Sequence, residues 1–529
     1  MEQMEDFSET VQETAKASFS LTLSNIISNV SLAIATLVIG ALLGASSYGL
    51  YSLAIATPTF LTSVVDFGLA FSLLNFCSKL SSKGSKDDSF SYLFNASFIT
   101  LAVAILATFT SIFFSSYIAS NIINRPEASN LVALASISIL FGAIVNLLTY
   151  FFVGVGESRR AAISQATLGI VKGIAQIILV VLGLSALGAI LGHVLGTMFA
   201  AVVSILALFK LNSKVSVKLN LSKLKEMLSY GFPIYISTFI TSFVSQYQAY
   251  LIGNFSTNFS AGNYKMALNF LILVSMVATP ITIALVPAFS KVNSEKYASV
   301  YEALTKYTSL VILPVSIAVI IFSREGVELL LGEGYSQASF FLSLMTLIYL
   351  LVPIGSLTVY SFINGIGKTK ISLILNMLNA FLFILLARAF MISYGITGMI
   401  VASLFASLIS LIVAIVYLKA KYNVIFNSFW ALKIYFASSI SVAVTILLLW
   451  FINLSGNLVR LVVGGSIFFA SFLTLIPLFG ILSSKDLELF KKLTSDRRFL
   501  LVLMLILKYE ERLVNIQEKI RHRLLCLNS

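Results

Sequence analysis

The sequence predicts an all-α polytopic membrane protein with about fourteen transmembrane helices. The 529 residues are 58% hydrophobic and only 11% charged, and their mean hydropathy is +0.97. Apolar runs of roughly 17 to 28 residues recur along the chain, which is the length of a membrane helix and far exceeds a barrel strand. The predicted spans are 18–43, 50–76, 91–115, 129–154, 161–183, 187–209, 231–255, 261–288, 307–323, 337–362, 371–393, 396–418, 429–452 and 457–482.

The distribution of positive charge orients these spans. Twenty-eight of the 35 Lys and Arg residues lie at the termini or in alternate gaps, and only Arg125 and Arg324 lie in the other gaps. Positively charged loops remain cytoplasmic, so we expect both termini on the cytoplasmic side of the cell (plasma) membrane. The net charge of +13 is dispersed beside apolar spans, which favours anionic membrane lipids as partners and argues against nucleic acid.

The predicted organisation is two parallel six-helix lobes with four further parts. A cytoplasmic N-terminal segment (1–17) precedes the N-lobe (18–210, spans one to six). An interfacial linker helix (211–230) leads to the C-lobe (231–419, spans seven to twelve). An extra helix pair (429–482) and a cytoplasmic amphipathic tail (483–529) follow. The basic, amphipathic pattern of the tail fits a helix on the inner leaflet, and it also fits a partner-binding helix.

The N-terminal charges and the cysteines allow predictions about signal-peptide cleavage and disulfide formation. The segment before the first span is acidic, the reverse of a basic signal-peptide n-region, so we expect the first span to remain in the mature protein. Cys77 and Cys526 both lie on the predicted cytoplasmic side, where no disulfide is expected.

An internal repeat links the ends of spans four and ten. Phe-Val-Gly-Val-Gly-Glu-Ser-Arg at 152–159 is similar to Phe-Ile-Asn-Gly-Ile-Gly-Lys-Thr-Lys at 362–370. Gly154 pairs with Gly365 and Gly156 with Gly367 at one shared offset, and Gly188 and Gly398 form a weaker pair. The repeating unit is therefore six spans, and an even number makes the two copies parallel.

The residues carry no convincing catalytic constellation. His193 and His522 are far apart and lack a Cys or carboxylate at metal-ligand spacing. Asp87 and Asp88 resemble a metal-holding carboxylate pair only faintly, because their loop is short and rich in Ser and Lys. The longest predicted outer gaps, 116–128 and 324–336, are too short for an external catalytic domain. We therefore expect a transporter, not an enzyme, with no cofactor and no metal.

Two charged residues lie deep in the N-lobe spans. Lys172 is at the middle of span five, about 11 residues or some 17 Å from either end. A central cation is costly unless it is paired or faces water, so Lys172 is expected to line a hydrated cavity. Asp66 is the acidic residue placed inside a predicted span, which suggests an ion pair with Lys172, a coupling site, or a local helix contact. A buried pair that only fixes helix packing is the alternative for both.

Other intramembrane groups lie nearer the span ends. Lys265 and Arg388 either line the cavity or extend to the outer interface, since each is about a turn from a span end. Lys433 and Arg460 are expected to anchor in lipid headgroups. His193 is expected to be a packing residue, with proton carriage as the alternative.

Several stretches resemble one transporter family. The region 43–79, with Leu-Gly-Ala-Ser-Ser-Tyr-Gly-Leu-Tyr-Ser-Leu-Ala-Ile-Ala and Val-Val-Asp-Phe-Gly-Leu-Ala-Phe, is similar to the second-span signature of Wzx-type polysaccharide and O-antigen flippases. Four further stretches agree with it in order: Gly154-Val-Gly-Glu-Ser-Arg159, Leu228-Ser-Tyr-Gly-Phe-Pro233, Leu331-Gly-Glu-Gly-Tyr335 and Gly365-Ile-Gly-Lys-Thr-Lys370. The resemblance implies the superfamily of multidrug and toxic-compound extrusion transporters and lipid II flippases.

The resemblance implies a central cation-lined cavity for a phosphate-linked glycan headgroup, with the extra helix pair forming a groove for the lipid tail. Lys172, Arg388 and Lys265 would then contact the headgroup, because a diphosphate requires cations. The chain departs from the family in its acidic N-terminus and at Gln248 and Ala249, where relatives carry an acidic residue late in span seven.

The expected function is translocation of a lipid-linked oligosaccharide of the polyprenyl-phosphate type by alternating access. Its partners would be that substrate and membrane lipids, with coupling to H⁺ or Na⁺ left open. The alternative is a cation-coupled exporter of small amphipathic compounds.

Overall fold

The computed structural model describes residues 2–81, 86–211, 219–424, 428–482, 484, 486–487, 508–515 and 517, with side chains of the first helix from Ala33 onward. The described part is helical and has no strand, which confirms the predicted fold class. The helices are α1 (Glu2–Val64), α2 (Leu69–Ser81), α3 (Lys86–Phe113), α4 (Ser115–Tyr117), α5 (Ser129–Gly154), α6 (Ser158–Leu179), α7 (Ser185–Phe209), α8 (Leu221–Phe255), α9 (Asn258–Phe270), α10 (Ile272–Ser290), α11 (Tyr297–Ile321), α12 (Ser323–Leu331), α13 (Ala338–Thr346), α14 (Thr358–Gly365), α15 (Thr369–Tyr422), α16 (Ser428–Ile452) and α17 (Asn457–Leu478).

Ten helices of the described chain are long and apolar enough to cross a membrane, or eleven if the bent pair Ala338–Ile354 and Thr358–Gly365 is one span. The exact number of fourteen stays a prediction. Three of the long stretches do contain a break with positive φ, at Gly44 (69°), at Gly183 (89°) and at Gly395 (61°). Glycine adopts this backbone conformation without a Cβ clash, so each break can separate two spans.

The repeat seen in the sequence also holds in the backbone. α5 ends at Gly154 and α14 ends at Gly365, and the next glycines, Gly156 and Gly367, have φ of 81° and 76°. In both copies the amide of the residue directly after the positive-φ glycine bonds back into the last turn, as Glu157 N to Phe152 O (2.8 Å) and Lys368 N to Ile363 O (3.0 Å). Both helices therefore end in the same type of glycine C-cap, at corresponding points of the two copies.

By packing, the chain forms two compact units. The first contains Met1–Asn269, Glu333–Gln337 and Ala380–Met399, and the second contains Phe270–Gly332, Ala338–Asn379 and Ile400–Ser529. These limits differ from the predicted N-lobe and C-lobe, whose boundaries stay a prediction.

Within the first unit, the region predicted as a linker helix begins the long helix α8. Asn220 caps α8, since its Oδ1 accepts from the backbone N–H groups of Ser222 (3.0 Å) and Lys223 (3.2 Å). Leu224 and Met227 are buried in a cluster with residues of α2, α3 and α5. The predicted helix is thus present from Leu221 and continues directly into the seventh span, while 212–218 lie outside the described residues.

Part of the predicted tail packs on the second unit. Val514 and Leu487 are buried in a cluster with Leu313 of α11 and Trp430 of α16. The apolar run 499–507 and the residues 518–529 lie outside the described chain. The described segment 508–515 is therefore a helix held by protein contacts.

Candidate functional site

The first unit contains two adjoining cavities between helices. The lysine cavity, about 330 Å³, lies among α1, α8 and α9. The polar cavity, about 460 Å³, is lined by residues of α1, α2, α5, α6, α7 and α8. Thr59 and Ser63 of α1 line both, so the two cavities meet at this face of α1.

Lys265 of α9 is the charged residue among those that line the lysine cavity, and the rest of the wall is apolar, hydroxyl or amide. Two glycines bring α9 close to α1. A Cβ on Gly262 would lie 1.9 Å from the Ala45 carbonyl oxygen, and one on Gly49 would lie 1.8 Å from the Asn258 carbonyl oxygen. Only glycine permits this approach, which holds Lys265 with its side chain exposed toward the cavity.

Lys172 lines neither of these two cavities. It lies on α6, half-buried, at the contact with α7, and its charge acts on Lys265 and on the imidazole of His193. Within the described residues, neither Lys172 nor Lys265 forms an ion pair. The structure therefore brings together two of the predicted cations without a carboxylate beside them.

The close contact of α6 and α7 depends on a glycine stripe. A Cβ on Gly188 would meet the Leu179 backbone at 2.8 Å, one on Gly192 would meet the Gln176 N at 2.5 Å, and one on Gly196 would meet the Lys172 Cβ at 2.5 Å. Small residues at this spacing let membrane helices approach closely. The stripe thus determines the position of the Lys172 backbone.

Asp66 lines the polar cavity but is not joined to Lys172. Its Oδ1 accepts from the backbone N–H of Ala70 (3.0 Å), and Phe67 and Gly68 have φ of 48° and 77°. Asp66 therefore caps α2 at the break that follows α1. No Asp66 to Lys172 ion pair is present among the described residues, so of the predicted alternatives the structure favours the local helix contact.

His193 also lines the polar cavity, and its Nδ1 is buried without a hydrogen-bond partner among the described residues. Hydroxyl and amide groups supply most of the other polar atoms of this wall: Thr59, Thr62, Ser63, Ser138, Asn146, Gln165, Thr197 and Thr238. Tyr150 and Tyr235 add aromatic surface. Most of the hydroxyl groups donate to carbonyls of their own helices, so they offer chiefly their oxygens as acceptors. Acceptor oxygens beside flat aromatic faces suit a neutral, hydroxyl-rich ligand, whose hydroxyls can donate to them.

The remaining predicted cations lie elsewhere. Arg388 of α15 is exposed and lies near the hydroxyl of Tyr247, which donates to the Ile384 carbonyl (3.3 Å). In the second unit, Lys433 Nζ lies 4.6 Å from the centre of the Phe429 ring. Arg460 Nε lies 3.7 Å from Glu325 Oε1, so this residue has a protein partner as well as any lipid contact.

Two polar contact sets that sequence reasoning missed tie α8 to the N-terminal helices. Arg125 donates to the Gly253 carbonyl (2.9 Å), the Ser256 carbonyl and Asn258 Oδ1. Toward the other end of α8, Lys223 Nζ lies 3.1 Å from Ser91 Oγ and 3.6 Å from Asp88 Oδ1. The sequence marked Arg125 as an isolated outer cation but contained no signal of what it contacts.

Comparison with known proteins places the fold. The chain resembles the lipid II flippase MurJ in an inward closed conformation, with TM-score 0.71, 17% identity, 87% of this chain and 98% of that chain covered. It also resembles an inward-facing multidrug resistance MATE family transporter of the MOP superfamily, with TM-score 0.64, 17% identity and coverage of 75% and 94%.

A third similar structure is a MOP superfamily transporter from Pyrococcus furiosus, described as having a binding pocket of reverse polarity (TM-score 0.52, 16% identity, coverage 78% and 95%). No curated protein sequence matches the chain. At these identities the structural matches show the fold, which is that of a multi-pass membrane protein. The family model for polysaccharide biosynthesis proteins matches residues 14–293, more than half of the chain, and the chain therefore belongs to that family.

Proposed function

We propose that the protein is a flippase that moves a polyprenyl-phosphate-linked oligosaccharide across the cell membrane by alternating access. The observation that carries the proposal is the pair of neighbouring intramembrane cations, Lys265 and Lys172, which have no acidic partner among the described residues. Two like charges near each other in a membrane protein repel, and an anion bound between them relieves that repulsion. A phosphate group of the substrate would supply that anion.

The polar cavity supports a glycan as the rest of the headgroup. It adjoins the lysine cavity at Thr59 and Ser63, and its wall carries hydroxyl and amide groups together with Tyr150 and Tyr235. A sugar attached to the phosphate would lie within reach of this wall. The family, named for polysaccharide biosynthesis, and the similarity to a lipid II flippase agree with such a substrate.

The contacts at the two ends of α8 support alternating access. Arg125 holds the α8–α9 turn through three hydrogen bonds, and Lys223 holds the beginning of α8 against α3. The positive-inside pattern assigns these two sets to opposite membrane sides. We infer that opening toward one side breaks one set while the other persists, as a two-state transporter requires.

The second candidate is a cation-coupled exporter of small amphipathic compounds. Asp66 favours it, because this carboxylate lines the polar cavity beside Tyr150 and Tyr235. A cationic drug binds to carboxylate and aromatic groups, whereas an anionic cargo binds to Lys265. The two candidates therefore predict different essential residues.

The test is transport in reconstituted vesicles. A polyprenyl-diphosphate oligosaccharide with a fluorescent sugar is added, and its translocation is measured as protection from a membrane-impermeant glycosidase. Lys265→Gln is expected to lower the rate by about tenfold or more, since hydrogen bonds to charged groups contribute roughly 1.5–3 kcal/mol. Lys433→Gln, at an intramembrane lysine of the second unit, is the matched control and is expected to retain the rate.

A normally folded Lys265→Gln protein with full activity would contradict the anionic cargo. Extrusion of ethidium that depends on Asp66, without translocation of the glycolipid, would assign the protein to the exporter candidate.

A further inference from the structure

A third cavity in the first unit, the apolar chamber, is about 580 Å³ in volume and lies among α1, α3, the 118–122 turn and α8. Its wall is largely hydrocarbon, including Leu61, Val103, Leu106 and Ile118. The volume is typical of a small-molecule site, roughly 300–1,000 Å³. It corresponds to a short stretch of hydrocarbon chain and not to a whole long-chain lipid.

Three polar side chains of this wall, Ser111, Thr57 and Tyr247, have protein partners, whereas Gln246 Oε1 has none among the described residues. Ser111 Oγ shares a hydrogen bond with Ser136 Oγ (2.7 Å), Thr57 Oγ1 accepts from Gln246 Nε2 (2.9 Å), and the Tyr247 hydroxyl donates to the Ile384 carbonyl. A polar ligand would lose its hydration here and find few replacement bonds. The chamber therefore favours a hydrocarbon over a polar ligand.

The chamber is accessible from the outer surface of the helices. Leu106 is 66% exposed, Phe114 48% and Phe243 43%. These side chains lie in or beside membrane-spanning helices, where exposed apolar groups contact lipid chains. A hydrocarbon chain can thus enter from the bilayer.

The chamber also adjoins the lysine cavity, because Phe60 and Gln246 line both. The hydrogen bond to Thr57 holds the Gln246 side chain at this junction, and its Oε1 is buried without a partner among the described residues. A single amphiphile could therefore place its charged group beside Lys265 and its chain in the chamber. Each half of such a molecule would then lie in an environment that matches its polarity.

We propose that the apolar chamber binds the phosphate-proximal part of the carrier lipid's hydrocarbon chain while the phosphate lies in the lysine cavity. The inference rests on the proposed function. It assigns the chain to a site between α3 and α8, in contrast to the groove at the extra helix pair that the family resemblance implies.

The first test fills the chamber. Ala107 of α3 lines it, whereas Ala102 of the same helix is exposed and does not. Ala107→Phe is expected to slow translocation of the long-chain substrate about tenfold or more, because a filled site excludes the chain. It should leave binding of a water-soluble short-chain diphosphate oligosaccharide unchanged, and Ala102→Phe should leave both unchanged.

The second test uses the unaltered protein and a carrier that bears a diazirine near the diphosphate. Photolysis is expected to label residues of α3 and α8, and unlabelled carrier is expected to compete while excess phosphatidylglycerol does not. Labelling confined to α16 and α17 would overturn the proposal. Competition by phosphatidylglycerol alone would also overturn it, because the chamber would then be a site for bulk lipid. If the unaltered protein translocates the substrate and Ala107→Phe is fully active, only the chain site is refuted. If the unaltered protein does not translocate the substrate, the proposed function itself is refuted.

Discussion

Lys172 and Gly196 are in direct contact across the α6–α7 interface, where a Cβ on Gly196 would lie 2.5 Å from the Cβ and 2.6 Å from the Cα of Lys172. The intramembrane lysine is therefore positioned by its backbone as well as by its charge. A change at Gly196 should act on Lys172 without altering any titratable group.

We expect Gly196→Ala to destabilise the protein by about 1–3 kcal/mol, because the added methyl forces two packed helices apart. Gly465→Ala is the control, since a Cβ there meets nothing within 4 Å and alanine has the higher helix propensity. The measurement is thermal unfolding in detergent. Equal midpoints for the two variants would show that α6 and α7 have room for the methyl.

Lys172→Ala is expected to abolish translocation with expression intact, and Lys172→Arg is expected to retain part of it. Arginine keeps the charge that a phosphate requires but changes the donor geometry. Because Lys172 Cβ packs on α7 and alanine keeps that carbon, the fold should survive. A fully active Lys172→Ala protein would limit this lysine to helix packing.

Asp66→Asn and Lys172→Gln are expected to have additive effects on stability, within about 0.5 kcal/mol, because no ion pair joins the two residues in the described chain. The measurement is a double-mutant cycle of unfolding free energies. Recovery of stability in the double mutant would instead indicate that the two residues pair in another conformational state.

Docking of the tail helix should weaken as pH rises. Burial raises the pKa of Glu510 to about 8 from the ordinary 4.5. Below pH 4.5 the carboxyl is neutral whether the helix is docked or detached, so it contributes no pH dependence there. Between pH 4.5 and 8 the Glu510 carboxyl ionises in the detached helix but stays protonated in the docked helix, so docking is progressively lost as the pH rises.

Amide hydrogen exchange over residues 508–515 measures this docking. We expect protection to fall between pH 5 and 8, roughly, after correction for intrinsic exchange, and Glu510→Gln to flatten the profile. A profile that is unchanged by Glu510→Gln would assign the pH dependence to another group.

The predicted orientation places 82–88 and 212–218 on the cytoplasmic side and 326–334 outside. Cysteines introduced at Ser85 and Ser336 should therefore react with an impermeant maleimide from opposite sides. The Cys77→Ser, Cys526→Ser background removes the native thiols. Labelling of both positions from one side would contradict the fourteen-span prediction.

The sequence by itself determined the membrane fold class and two equivalent glycine-capped helix ends, while the six-span size of the repeat stays a prediction. Both depend on local properties: apolar run length determines which segments can span a bilayer, and the glycines after spans four and ten determine equivalent helix ends. Even Gly156 and Gly367, with φ of 81° and 76°, occupy corresponding caps.

Only the tertiary structure decided which charges meet. Lys265 lines a cavity because Gly49 and Gly262 let α9 approach α1, and Asp66 caps α2 although its sequence depth equally suggested a pair with Lys172. Hydropathy places a residue along the membrane normal, but its neighbours depend on helix rotation and on packing between distant segments. For this reason the sequence could identify the candidate cations of the site, while the packing of the helices decides which of them can act together.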